Sequence, residues 1–302
     1  MSIKVEWDDP NSNSEEYYVY RATAPIVDGS LPAPLVTIPS GTKTYMDLTA
    51  VRNTLYYYRI GSKVGTNINL SANKPLAYVP NVGPGPQSLI RGDWNLGYFG
   101  KMGINDLFVP GDLKDQFGLG GGVFVPGNPA ADMYWLKMAY RGKVVYVASH
   151  PLVINITWES IYRAGLVYGN SPSADWPAYP KTAFGIIPQG VTLTRGQDQF
   201  LCRIPTSRVA GNTGTTPADL IGGEHDQLVM APFWNTINNL TPYRFDDLNG
   251  AGQSFTQDFN PVGANATIIR GNTGNGVDAQ STSVVTATVV TQGWRPLLEL
   301  VQ

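Results

Sequence analysis

The chain has 302 residues, a formal net charge of −2 and an apolar share of 42%, enough to bury a substantial core in one large domain or two unequal ones. Charged residues make up only 15%, while 33 Gly and 23 Pro punctuate the chain and 7 Trp, 16 Tyr and 10 Phe reward folding, a profile of turn-rich β structure that excludes disorder. No basic run concentrates Lys or Arg and no apolar run reaches membrane-spanning length, so nucleic acid and membrane are not expected partners. The single cysteine, Cys202, sits in the apolar-alternating stretch Phe200-Leu201-Cys202-Arg203-Ile204, which predicts a buried thiol and no internal disulfide. Met1-Ser2-Ile3-Lys4-Val5 lacks the apolar core of a signal peptide, and a soluble chain made in a cytoplasm is expected.

Ile3, Val5 and Trp7 alternate with Lys4 and Glu6, the period-two signature of a strand over 2–8 that Asp8-Asp9-Pro10-Asn11 stops. Short strands follow at Tyr17 to Arg21, Leu35 to Ile38 and Lys43 to Asp47, each bounded by turn chemistry. Leu55 to Val64 predicts a longer strand with Tyr56, Tyr58 and Ile60 on one face, and Gly65-Thr66-Asn67 turns it into Ile68-Asn69-Leu70. With Leu76 to Val79, about seven strands fall within the first eighty residues, the density of an immunoglobulin-like sandwich. Val5-Glu6-Trp7-Asp8-Asp9-Pro10, Tyr17-Tyr18-Val19-Tyr20-Arg21, Thr44-Tyr45-Met46-Asp47 and Tyr56-Tyr57-Tyr58-Arg59-Ile60 resemble successive strands of a fibronectin type III module. The resemblance covers residues 1–80 and implies core roles for Trp7 and Tyr56; the long, Pro-containing stretch from Ala22 to Pro34 departs from it.

Pro80-Asn81-Val82-Gly83-Pro84-Gly85-Pro86-Gln87 has no apolar period and reads as a semi-rigid linker over 81–88. Beyond it, residues 89–302 open with Gly-rich loops and reach their densest core signal in Met133 to Tyr140 and Val144 to Ala148, a hairpin with Gly142 at its turn. Thr157 caps an expected helix over Trp158 to Ala164 that ends at Gly165, and a second short helix is expected within Glu224 to Leu240, which Pro232 starts or interrupts. Ser283 to Val290 and Trp294 to Leu300 are expected strands. Trp135-Leu136-Lys137 with Tyr140-Arg141-Gly142-Lys143, Thr157-Trp158 with Ala164-Gly165-Leu166-Val167-Tyr168-Gly169, and Gly293-Trp294-Arg295-Pro296-Leu297-Leu298-Glu299-Leu300 are similar to motifs of virion structural proteins of tailed bacteriophages. That resemblance implies a particle component of the neck, tail, baseplate or capsid exterior, with no catalytic residues to carry over.

Sites of chemistry are sparse. Of the two histidines, His225 lies in Gly223-Glu224-His225-Asp226, but adjacent residues rarely share a metal and no spaced ligand motif accompanies them; Glu224 and Asp226 at the start of a helix are the simpler reading, and His150 ends a strand. Asp8-Asp9 and Asp246-Asp247 read as solvated turns rather than a glycosidase pair. No nucleophile elbow or phosphate loop is present, and Cys202 lacks a catalytic neighbourhood. Arg91-Gly92-Asp93 leads into Trp94 and Tyr98 and reads as the packed entry of the second domain, not an adhesive loop. Trp176, Tyr179, Trp234 and Tyr243 are the residues through which a host-surface glycan would be held.

The sequence thus predicts a mainly β protein, with a fibronectin type III or immunoglobulin-like sandwich over 1–80, a linker over 81–88 and a larger β-rich domain over 89–302 carrying one or two short helices. It is expected to be a non-enzymatic structural component of a tailed-phage particle, made in the host cytoplasm and resident in the virion, contacting other virion proteins and copies of itself. No catalytic, metal or cofactor residues are expected; the alternative is a carbohydrate-binding adhesin.

Overall fold

The chain is described by a computed structural model, which defines residues 2–9, 13–125, 133–170, 178–209, 212, 222–230, 253–259, 266–270, 280–284, 286 and 292–301. They divide into two compact units, Met1–Val82 with Leu89–Gly97 and Ala139–Val144, and Gly83–Ser88 with Tyr98–Met138 and Val145–Gln302. The fold is mainly β, with several sheets and a few short helices. No helix among the described residues is long and apolar enough to cross a membrane.

The first unit carries β1 (Ile3–Glu6), β2 (Glu16–Ala22), β3 (Val36–Pro39), β4 (Thr44–Asp47), β5 (Leu55–Val64), β6 (Asn67–Leu70) and β7 (Lys74–Ala77). β1 and β4 pair antiparallel, with Val5 opposite Tyr45. The other sheet runs β3-β2-β5-β6, and β7 also pairs with β5. Ten-residue β5 is the spine, with one end paired to β7 through Tyr58 and Lys74 and the other to β6 through Val64 and Asn67. Alternation places Ile3 and Val5 of β1, Tyr17 and Val19 of β2, and Tyr56, Tyr58 and Ile60 of β5 in one hydrophobic cluster. Trp7 packs against that cluster but remains half-buried.

A buried carboxylate joins three of these strands. Asp47 on β4 accepts from the Tyr58 hydroxyl of β5 and from Arg21 Nη1 of β2, both at 2.6 Å, while Thr49 donates its backbone N–H and hydroxyl to the other oxygen. Burial alone would raise the Asp47 pKa, but these donors hold it below the usual carboxylate value. Tyr56 closes the same region by accepting from the Val51 N–H at 3.2 Å.

Further along lie β8 (Arg91–Gly92), β9 (Leu96–Gly103), α1 (Ile104–Leu107), α2 (Pro110–Gln116), β10 (Gly122–Val123), β11 (Tyr134–Tyr140), β12 (Lys143–Ala148), β13 (Val153–Ile154), α3 (Trp158–Arg163) and α4 (Ala178–Phe184). They are followed by β14 (Thr192–Arg195), β15 (Asp198–Arg203), a π-helical turn at Asp226–Met230, β16 (Gln253–Phe259), β17 (Ala266–Arg270), β18 (Gln280–Val284), β19 (Gln292–Trp294) and β20 (Leu297–Leu300). One sheet has the order β14-β15-β20-β12-β11-β9-β8, another β10-β13-β19-β16-β17-β18. Arg141 and Gly142 both take positive φ, 49° and 82°, the backbone of a tight turn between β11 and β12.

The expected helix at 158–164 forms as α3: Thr157 accepts from the Ser160 N–H at 3.0 Å, and Gly165 follows with φ 79°. Its buried face presents Trp158, Ile161 and Tyr162, with Trp158 and Tyr162 stacked 5.5 Å apart. Among the described residues α1, α2 and α4 were not anticipated, because runs of four to seven residues are too short to show a helical period. The strand expected over 294–300 is instead two, β19 and β20, in different sheets, because Pro296 has no N–H to donate and the chain changes sheet at Arg295-Pro296. Of the second expected helix, residues 231–240 lie outside the described residues, as do 285 and 287–290 of the strand expected over 283–290.

Candidate functional site

The three consecutive side chains of Glu224, His225 and Asp226 diverge to separate partners. Glu224 receives Arg203 as a fork, Nη1 at 2.5 Å and Nη2 at 2.6 Å, and also accepts from the Thr206 N–H at 3.1 Å. Asp226 accepts from Nε of buried Arg270 at 3.0 Å and from its Nη2, while its second oxygen takes the Gly222 N–H at 2.5 Å. Burial raises the Asp226 pKa and the Arg270 cation opposes that rise. The carboxylates stand at a helix start, as the sequence reading has them, and there they meet arginines. His225 between them is fully buried, and neither ring nitrogen has a hydrogen-bond partner among the described residues. Burial, and then the Arg295 and Arg270 cations, push its pKa well below the ordinary histidine value, so it is neutral. Among the described residues no group of three or more His, Cys, Asp or Glu side chains is placed to hold a metal ion.

His150 lies just beyond β12, with Nδ1 2.9 Å from Ser149 Oγ and its ring stacked on Phe124 at 5.3 Å. That Ser–His contact has the distance of a nucleophile and its base. Both residues are buried, however, and Ser149 Oγ accepts from the Tyr134 N–H at 3.1 Å. Burial and Arg295 push His150 down to about 4. Cys202 on β15 is fully buried, as expected, and burial raises its thiol well above the ordinary value, keeping it protonated and inert.

Lys137, which carried no signal of its own in the sequence, is a buried cation in the middle of β11. Its Nζ donates to the backbone carbonyls of Pro86 at 2.5 Å and Gly83 at 3.3 Å, and lies 4.9 Å from the Phe99 ring centroid. Tyr146 donates to the Pro84 carbonyl at 2.9 Å, so two side chains of the second unit hold the 83–86 backbone. Burial lowers Lys137 to about 8.

The first unit contains a pocket of about 220 Å³ where the chain leaves β1, lined by Trp7, Asp8, Asp9 and Tyr17 over an apolar floor that includes Ile60 and Leu70. The Trp7 and Tyr17 rings meet edge-on at 5.4 Å, and the Tyr17 hydroxyl donates to Asp9 Oδ2 at 2.8 Å, which raises the phenol pKa. Trp7 Nε1 is buried without a hydrogen-bond partner among the described residues. Asp8-Asp9, read from the sequence as a solvated turn, therefore borders a concave site. The signal was an acidic pair directly after Trp7, ten residues before a second aromatic in a strand.

Arg91 and Gly92 are exposed in β8, and Asp93 Oδ1 accepts from the Asn95 and Leu96 N–H groups, so that carboxylate shapes a turn. Trp176, Trp234, Tyr243 and Asp246-Asp247 lie outside the described residues, and so does the side chain of Tyr179. Comparison with protein-family models, curated proteins and solved structures returns no match.

Proposed function

We propose that the chain is a non-enzymatic structural component of a tailed-phage particle, present in several copies on the neck, tail, baseplate or capsid exterior, with its first unit a fibronectin type III-like sandwich. One observation carries the non-catalytic part of this reading: the side chains best suited to acid, base or nucleophilic work, His150, His225, Ser149 and Cys202, are all buried. A general base must reach a substrate proton and a nucleophile must meet its electrophile, which sealed groups cannot do. The phage assignment is supported by the residue motifs around Trp135, Thr157-Trp158 and Gly293 to Leu300. Low charge and abundant aromatics suit protein interfaces, whose centres are depleted in Lys, Asp and Glu and enriched in Tyr, Trp and Phe.

The partners on this reading are other virion proteins and further copies of the chain. Electron microscopy of the source particle is expected to place the chain as an ordered, repeated layer, and sedimentation of the purified chain to show concentration-dependent association. A chain that stays monomeric at every concentration and is missing from purified particles would sink the proposal. Specific binding on a glycan array, without association, would favour the adhesin instead.

A further inference from the structure

The geometry points to the open edge of β1 as a strand-pairing surface for a second copy of this chain. It rests on the reading that copies associate, and deepens it by naming the edge through which they do. Among the described residues β1 pairs with β4 alone, in a two-stranded sheet. The ladder continues past Glu6, where the Trp7 N–H donates to the Lys43 carbonyl at 3.2 Å, so Trp7, Val5 and Ile3 turn their backbone groups toward β4. Lys4 and Glu6, one residue out of phase, aim theirs the other way, at the open edge. The Lys74 ammonium of β7 marks that direction: it donates to the Glu6 carbonyl at 3.1 Å, as the N–H of a neighbouring strand would.

Lys4 and Glu6 also choose the partner. Their side chains are 55% and 59% exposed, so both are available across the edge, and they form an ion pair along the strand. Only residues that aim their backbone at the edge can exchange hydrogen bonds across it, which leaves an antiparallel second β1 three registers: Lys4 opposite Lys4, Glu6 opposite Glu6, or Lys4 opposite Glu6. The first two set like charges face to face. The third, centred on Val5 opposite Val5, sets each ammonium opposite a carboxylate, and each Lys4–Glu6 pair exchanges both backbone hydrogen bonds. The charges of the two strands then alternate around a square, each carboxylate beside the lysine of its own strand and opposite that of the other. A twofold axis through Val5 makes the contact self-complementary. The outer edge of β4 presents Thr44 and Met46, which carry no charge to select a register. Charged side chains also guard open edges, but a guard repels its own copy, whereas these alternating signs attract it. Because Ile3 and Val5 are already buried, pairing adds backbone hydrogen bonds and charge but little apolar area, which makes the contact weak and sensitive to salt.

Sedimentation equilibrium of the full chain at low ionic strength is expected to show a monomer–dimer equilibrium at micromolar to millimolar concentration, weakened by added salt. Glu6→Lys and Lys4→Glu each put like charges at both crossings and are expected to weaken dimerisation about tenfold or more. An equimolar mixture of the two variants sets opposite charges across the edge again and is expected to associate as tightly as the native chain, as is the double swap Lys4→Glu/Glu6→Lys. Recovery in the mixture separates edge pairing from loss of the ion pair within the strand, which mixing does not repair. Melting temperatures close to that of the native chain establish that the variants fold. A native chain that is monomeric at every concentration overturns the inference, and its presence in purified particles would then leave the assembly reading standing. Single variants that dimerise like the native chain, or a mixture that stays monomeric while the native chain dimerises, overturn it as well and assign association to another surface.

Discussion

Lys137 shows what a single residue does when its surroundings oppose its charge. Its ammonium lies among Phe99, Tyr146 and the carbonyls of Gly83 and Pro86, and burial lowers its pKa from 10.5 to about 8. The unfolded chain then holds this proton over a pH range in which the folded chain has released it. Stability should therefore rise as pH increases from about 8 toward 10, by about 1–3 kcal/mol. Below the folded value both states are protonated and the slope vanishes. The window closes near pH 10, where unfolded tyrosines ionise while burial keeps Tyr146 protonated. Urea midpoints measured across this range should show the rise in the native chain and lose it in Lys137→Met. A persistent rise in the variant would assign it to another group. The two histidines act at the acid end: both are held neutral in the fold, so their contribution is present above pH 6.5 and is lost as the pH falls toward the folded values.

Among the elements, α3 is the one whose two ends are written locally. Thr157 supplies the acceptor at the N-terminus, Gly165 the left-handed residue after the C-terminus, and Trp158, Ile161 and Tyr162 the buried stripe. Thr157→Ala removes the cap and is expected to cost about 1 kcal/mol, seen as a lower melting temperature. A loss much larger than that would mean the hydroxyl does more than cap. The strands of the first unit are equally legible, since β5 occupies the 55–64 span that its tyrosines and following Gly65 mark out. β19 and β20 are not, because an apolar run reads as one strand until a second sheet takes half of it.

For the molecule as a whole, the second unit is braced by an ion pair between residues 44 positions apart, Asp226 in the π-helical turn and Arg270 on β17. Both side chains are fully buried. Removing one partner of such a pair leaves an uncompensated charge in the core, so Asp226→Asn is expected to cost about 3–5 kcal/mol. Replacing both, as Asp226→Leu with Arg270→Met, should recover much of that loss, because well-packed apolar groups need no desolvated partner. Equilibrium unfolding of the single and double variants measures both; a single variant within about 1 kcal/mol of the native chain would remove the pair from the list of stabilising contacts.

What the sequence determined by itself was local: period-two alternation, turn residues and one capped helix, each decided by side-chain direction and backbone preference over a few residues. It also predicted that Cys202 is buried, because alternation alone places it on the apolar face of β15. Tertiary structure alone decided which arginine meets which carboxylate and which carbonyls take up Lys137. Those outcomes depend on strands distant in the chain coming together. Coulomb attraction and desolvation act through space, and no short stretch of sequence contains both partners.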